Sequence, residues 1–296
     1  MSDVDRTEPA PAAAPRLRCR LIVEADLPAV AALLTAGFPD RTHAYWTAGL
    51  TRMARRDSPP DLPRFGYVLD RDGDLVGVIL LISGTTRAGD AFVTRSNLSS
   101  WYVDPAFQGY ASILISQATK HKQSTYFNVS PAEHTRPIIE AQGFIRYSQG
   151  RLFALPAFAR RRPSVRVEAV NGPRKGLDAR DVAILEEQRH YGCLNLAAID
   201  GEAVYPFSFR LRTVKGVVPA AQLVYCRDIA DMVRFAGPIG RALARRGRGV
   251  VVIDANRPIA GIPGAFVAGG MPKYFKGPDR PRDGDLSNSE IVVFGL

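Results

Sequence analysis

Residues 99–121 read SSWYVDPAFQGYASILISQATKH. The aromatic and β-branched opening Trp101-Tyr102-Val103 has the composition of a strand. Asp104 and Pro105 end it, and Gln108-Gly109 stand at the apex of a polar turn. A helix is expected from about Ala111 to His121, with Ile113, Leu114, Ile115 and Ala118 on its apolar side. A helix N-terminus exposes unpaired N–H groups and the positive end of the macrodipole. The small residues Gly109, Ala111 and Ser112 let an anion approach that backbone, and the Gln108 amide can donate to it. The edge N–H groups of the preceding strand suit an extended, amide-containing ligand. The turn therefore reads as a phosphate cradle; the plainer reading of the same residues is a polar turn without a ligand.

On the N-terminal side, RCRLIVE (18–24) is a short strand. Asp26 and Pro28 open a helix carrying Leu27, Val30, Leu33 and Leu34 that stops near Gly37. A second helix follows Thr42 and ends before the breaker DSPPDLP. FGYVLD and LVGVILLI flank Arg71-Asp72-Gly73-Asp74, a hairpin signal in which Asp-Gly supplies positive φ angles. On the C-terminal side, TYFNVS is a strand, PAEHTRPIIEAQGF a short helix and IRYSQGRLFALP a further strand. Ser130 and Glu133 have the spacing of a capping box.

Beyond residues 159–176, a linker or crossing strand, much of this order recurs. DARDVAILEEQRHYG reads as a helix. Strands follow in CLNLAAIDG, AVYPFSFRLRTV and PAAQLVYCRD, then a helix within FAGPIGRALARRG and the strand GVVVIDAN. A short irregular region comes next, and SEIVVFGL ends the chain. The repetition lies in element order rather than letters. It predicts an α/β (α+β) chain of two related domains, residues 17–158 and 177–296, behind a disordered Pro- and Ala-rich leader at residues 1–16. The alternative is one larger α/β domain whose halves share a common alternation.

Composition narrows the class. The chain has 296 residues, 46% of them hydrophobic, and a formal charge of +10. No apolar run approaches the roughly 18–20 residues that cross a bilayer. The N-terminus lacks a signal core, and three widely spaced cysteines and four scattered histidines give neither a disulfide framework nor a metal centre. A cytoplasmic location is expected. The positive charge attracts phosphate. It does not by itself make a nucleic-acid binder, because no helix-turn-helix, zinc or RNA-recognition pattern accompanies it; that reading ranks last.

WYVDPAFQGYASIL and NVSPAEHTRPIIEAQGFIRY, with the element order around them, resemble the GNAT acyltransferase superfamily over roughly residues 17–156. Val103-Asp104-Pro105 matches the family's Val-x-Pro strand end, and Gln108 the first position of its Q/R-x-x-G-x-G/A pyrophosphate loop. Ala111 and Ile113 stand where the two small loop positions belong. The resemblance implies that Tyr102, Val103, Gln108, Gly109, Tyr110, Ala111 and Ser112 bind acyl-CoA, with no metal. In the second half Arg234, Gly237 and Gly240, read as a stretched copy of that loop before a helix, are a second candidate cradle. EAQGF matches the ending of the family's Y-E-K-x-G-F helix, with Ile139 in place of its acidic Tyr; Glu133, His134 and Tyr147 are candidate acid–base residues. The implied activity is transfer of an acyl group from acyl-CoA, such as acetyl-CoA, to an amine or hydroxyl acceptor, either a small molecule or a protein. Oligomer formation is left open. The departures at Ala111, Ile113 and Ile139 motivate an alternative: a non-catalytic tandem fold kept as a binding or regulatory module.

Overall fold

The computed structural model describes residues 16–88 and 91–295. The expected leader, Arg16 apart, lies outside these residues. The first half contains β1 (Leu17–Leu21), α1 (Leu27–Gly37), α2 (His43–Ala54), β2 (Gly66–Arg71), β3 (Asp74–Ala88), β4 (Ala91–Val103), α3 (Ala111–Ala118), β5 (Thr125–Asn128), α4 (Arg136–Ala141) and β6 (Ile145–Ala154). The second contains β7 (Arg166–Ala169), α5 (Ala179–His190), β8 (Leu194–Asp200), β9 (Ala203–Val214), β10 (Val218–Cys226), α6 (Ile229–Ala244), β11 (Val250–Ala255), β12 (Gly264–Lys276) and α7 (Glu290–Val293).

Local chemistry accounts for most boundaries. The β2–β3 turn has Asp72 at φ 51° and Gly73 at φ 105°, the paired positive angles expected of Asp-Gly. Thr42 Oγ1 caps α2 by accepting the Tyr45 N–H at 3.2 Å, and Asp178 caps α5 by accepting the Asp181 N–H at 2.8 Å. Residues 166–169, inside the expected linker or crossing strand, pair with β8 as an edge strand.

Among the described residues the strands form one twelve-stranded sheet, ordered β1-β2-β3-β4-β5-β12-β6-β11-β10-β9-β8-β7. The order reads the same from either edge when each strand is matched with the one six places later. The parallel pairs are β4 with β5 and β10 with β11; the remaining neighbours are antiparallel. The last strand of each half crosses over, so β12 pairs with β5 and β6 with β11. A core on one face joins α1, α2 and α7 to Tyr191, Cys193 and Val224 of the second half. Two others lie under α3–α4 and under α6.

Two segments differ from expectation, and a third had no element assigned to it. Residues 264–276, read as irregular, form β12, where pairing with β5 and β6 compensates for Gly269, Gly270 and Pro272. SEIVVFGL contains a short buried helix, α7. Arg234–Gly240 is not a loop before a helix but the interior of α6, whose N-cap is Asp228, accepting the Ala230 N–H at 2.8 Å. Its glycines allow backbone contact: a Cβ at Gly237 would lie 2.2 Å from the Arg160 carbonyl oxygen, and one at Gly240 2.2 Å from the Ala157 nitrogen. Gly240→Val is therefore expected to cost about 2 kcal/mol or more through overpacking. Gly109→Val, where a Cβ meets no atom within 4 Å, is the control. Urea denaturation midpoints check the difference; equal midpoints would contradict the packing argument.

Candidate functional site

β4 and β5 are paired only at Arg95↔Thr125, Ser96↔Tyr126 and Asn97↔Phe127. β5 then ends at Asn128 while β4 runs on to Val103, so a fork opens between them. Its β4 side carries a bulge: Ser99 pairs with Leu80 and Trp101 with Ile79, leaving Ser100 unpaired at φ 39°. A left-handed angle at a residue other than glycine is uncommon and marks local strain.

Glu290, the first residue of α7, fills the base of this fork. Its N–H donates to Asn97 Oδ1 at 2.8 Å. Its carboxylate accepts Ser99 Oγ at 2.6 Å, Ser130 Oγ and the Ser100 N–H. The residue is 4% exposed. Burial pushes its pKa above the usual carboxylate value, against the lowering effect of these donors and of the Lys273 charge. Sequence reasoning missed Glu290; the available signal was one acid at the head of the apolar run EIVVF. Ser130, expected to cap a helix, serves this carboxylate instead.

At the fork's mouth, Pro105–Tyr110 is a 3-10 helix leading into α3. Asp104 accepts the Ala106 N–H through its side chain at 2.9 Å and the Phe107 N–H through its carbonyl at 2.8 Å. The Ala111 N–H goes to the Gln108 carbonyl. The turn is thus more tightly wound than an open phosphate loop. Gln108, Gly109, Tyr110 and Ser112 are exposed, Ala111 is half-buried, and the α3 N-terminus has no side-chain cap. Ile113, 41% exposed, turns outward rather than plugging the notch. Val103 is buried, and the half-buried Tyr102 ring packs against Gly37.

The acid–base candidates are not joined to one another by any hydrogen bond or ion pair among the described residues. Glu133 and His134 lie exposed in a 3-10 turn, whereas Tyr147 is buried edge-on to Phe275 with an unpartnered hydroxyl. Burial, reinforced by Asp254, pushes the Tyr147 pKa far up.

The corresponding fork of the second half is filled by the chain itself. β10 and β11 pair over Ala220–Gln222, after which residues 284–286 line β10. The Cys226 N–H donates to the Gly284 carbonyl at 2.9 Å, the Leu286 N–H to Val224 at 2.8 Å, and Tyr225 bridges to Asp285. The following helix start carries Asp228 and Asp231, and burial and Asp228 raise the Asp231 pKa. Two carboxylates there repel a diphosphate. Arg234 is engaged with Asp200 at 2.7 Å and the Tyr205 hydroxyl at 3.1 Å, and Gly237 and Gly240 are buried against residues 156–160. These three residues do not form a cradle.

Separately, a cleft of about 1240 Å³ lies between α2 and α5, with Arg52, Arg56, Glu187, His190, Tyr191 and Asn288 in its wall. Among the described residues, no group of three or more His, Cys, Asp or Glu is placed to hold a metal ion, and no helix is long and apolar enough to cross a membrane.

No family model and no curated protein sequence matches the chain. Solved structures do. A GCN5-related N-acetyltransferase from Anabaena variabilis aligns at TM-score 0.59 and 11% identity, covering 88% of this chain and 72% of its own. One from Kribbella flavida aligns at TM-score 0.56 and 14% identity, covering 88% and 71%. A presumed acetyltransferase from Pyrococcus horikoshii aligns at TM-score 0.56 and 13% identity, covering 91% and 92%.

Proposed function

We propose that this chain, which has the fold of the GCN5-related N-acetyltransferases, moves an acyl group from acyl-CoA to an amine or hydroxyl acceptor in the fork between β4 and β5. The observation that carries the reading is the Glu290 carboxylate, buried in that fork beside the Ser100 bulge and held by Ser99 and Ser130. The exposed turn Gln108–Ser112 and the end of β4 at Tyr102–Val103 are the residues that would hold acyl-CoA, which supplies the activated acyl group when bound. Glu290 takes the acceptor's proton as the acceptor's nitrogen or oxygen bonds to the acyl carbon, and returns it to the thiolate released when the carbon–sulfur bond breaks. Burial strengthens it as a base, because a carboxylate with a raised pKa draws protons closer to neutral pH. The two serine hydroxyls fix its orientation. Once Glu290 is protonated it accepts more weakly, and the Ser100 N–H becomes free to face developing negative charge.

The palindromic strand order supports a duplicated unit, residues 17–158 and 177–296, whose copies exchanged their last strands. Only the first-half fork remains accessible on this reading. Calorimetric titration with acetyl-CoA and longer acyl-CoAs is expected to give one site per chain, and an acceptor panel is expected to release thiol above background. No heat at millimolar acetyl-CoA would overturn the proposal. A non-catalytic module is favoured by one observation, the Ser100 N–H already engaged by Glu290; it predicts binding without thiol release.

A further inference from the structure

A polar stripe crosses the face of the sheet that carries α1, α2 and α7, starting at the fork. Val129, next to the Ser130 that holds Glu290, accepts a hydrogen bond from Lys273 Nζ at 3.2 Å. The same ammonium lies 3.1 Å from Asp254 Oδ1. Gln222 donates to Asp254 Oδ2 at 3.3 Å and accepts from Arg212 at 3.1 Å. Arg151 is the direct cross-strand partner of Asp254, so the two side chains share a face. Lys273 thus pairs with the one carboxylate of this stripe, Arg151 stands beside it on the neighbouring strand, Arg212 is linked to it through Gln222, and Arg41 adds its charge from the α1–α2 connection.

Part of this charge is unanswered. Arg151 makes no hydrogen bond or ion pair among the described residues, and the buried Nε atoms of Arg151 and Arg212 have no partner. Burial and the neighbouring Arg151 push the Arg212 pKa down, against the pull of Asp254. Buried polar groups normally find partners, and clustered cations with too few carboxylates are relieved by an anion. Guanidinium forks suit the paired oxygens of a carboxylate or phosphate.

We propose that Arg151 and Arg212 form an anion subsite on this face of the sheet, which takes a carboxylate or phosphate group. The subsite does not rest on the acyl-transfer reading above.

Inorganic phosphate and succinate are titrated into the full chain and into an R151Q/R212Q variant, followed by calorimetry at fixed ionic strength. Binding to the parent that weakens at least about tenfold in the variant is expected of charge-assisted guanidinium contacts; the stronger of the two anions identifies the preferred group. Equal binding, or none to either chain, overturns the subsite.

Discussion

Glu290→Gln is expected to slow acyl transfer by roughly 10²- to 10³-fold at neutral pH, the usual contribution of a positioned proton acceptor, while acetyl-CoA still binds. The amide retains the shape, its oxygen accepting from one of the two serines and its NH2 donating to the hydroxyl oxygen of the other, but it cannot take a proton. In the parent, the rate should fall as pH drops through the raised pKa of Glu290, because only the ionised form acts as a base. That fall should be absent from the residual activity of the variant.

Stability runs the opposite way. A raised native pKa means that the folded chain binds this proton more tightly than the unfolded chain does. Its stabilising contribution is therefore present below the ordinary glutamate value and lost as pH climbs through the raised one. The parent should lose stability relative to E290Q between acid and neutral pH, as read from paired denaturation curves. A variant with full activity, or a stability difference independent of pH, would overturn the role given to Glu290.

The features legible in the sequence are those determined by near neighbours. Asp72-Gly73 encodes its hairpin because two positive φ angles are needed within two residues. The strand–turn–helix around Gln108 was readable for the same reason, although its winding into a 3-10 helix was not. The pattern R-x-x-G at Arg234–Gly237 misled because it fits a phosphate loop and the packed face of a helix equally well. The distinguishing signs were the Asp228 cap upstream and the buried series Met232, Phe235, Ala236, Ile239 and Leu243 at helical spacing. Glu290 had no such local sign. Its partners Asn97, Ser99 and Ser130 lie in the other half of the chain, and the crossing of β12 into the first half brings its segment to them. The same crossing buries Lys273, which lies in the region after GVVVIDAN that the sequence reads as irregular.

Lys273→Ala is expected to destabilise the fold by about 3–5 kcal/mol, the range for removing one partner of a buried ion pair. Lys273 is 1% exposed and Asp254 7%, so neither charge can turn to water without disturbing the sheet. Without the ammonium, Asp254 keeps the Gln222 amide but loses its nearest cation, and the Val129 carbonyl loses a donor. Much of the cost is thus the desolvated carboxylate left behind rather than the worth of the pair. This distinguishes an ion-pair effect from a cavity. K273M/D254L removes both charges and keeps apolar volume, and it is expected to be more stable than K273A despite carrying one more substitution. A cavity effect alone would make Lys273→Met mild and the double variant no better than it. Urea unfolding with unchanged m-values decides between them, and a K273A loss below about 1 kcal/mol would show that the pair is solvated.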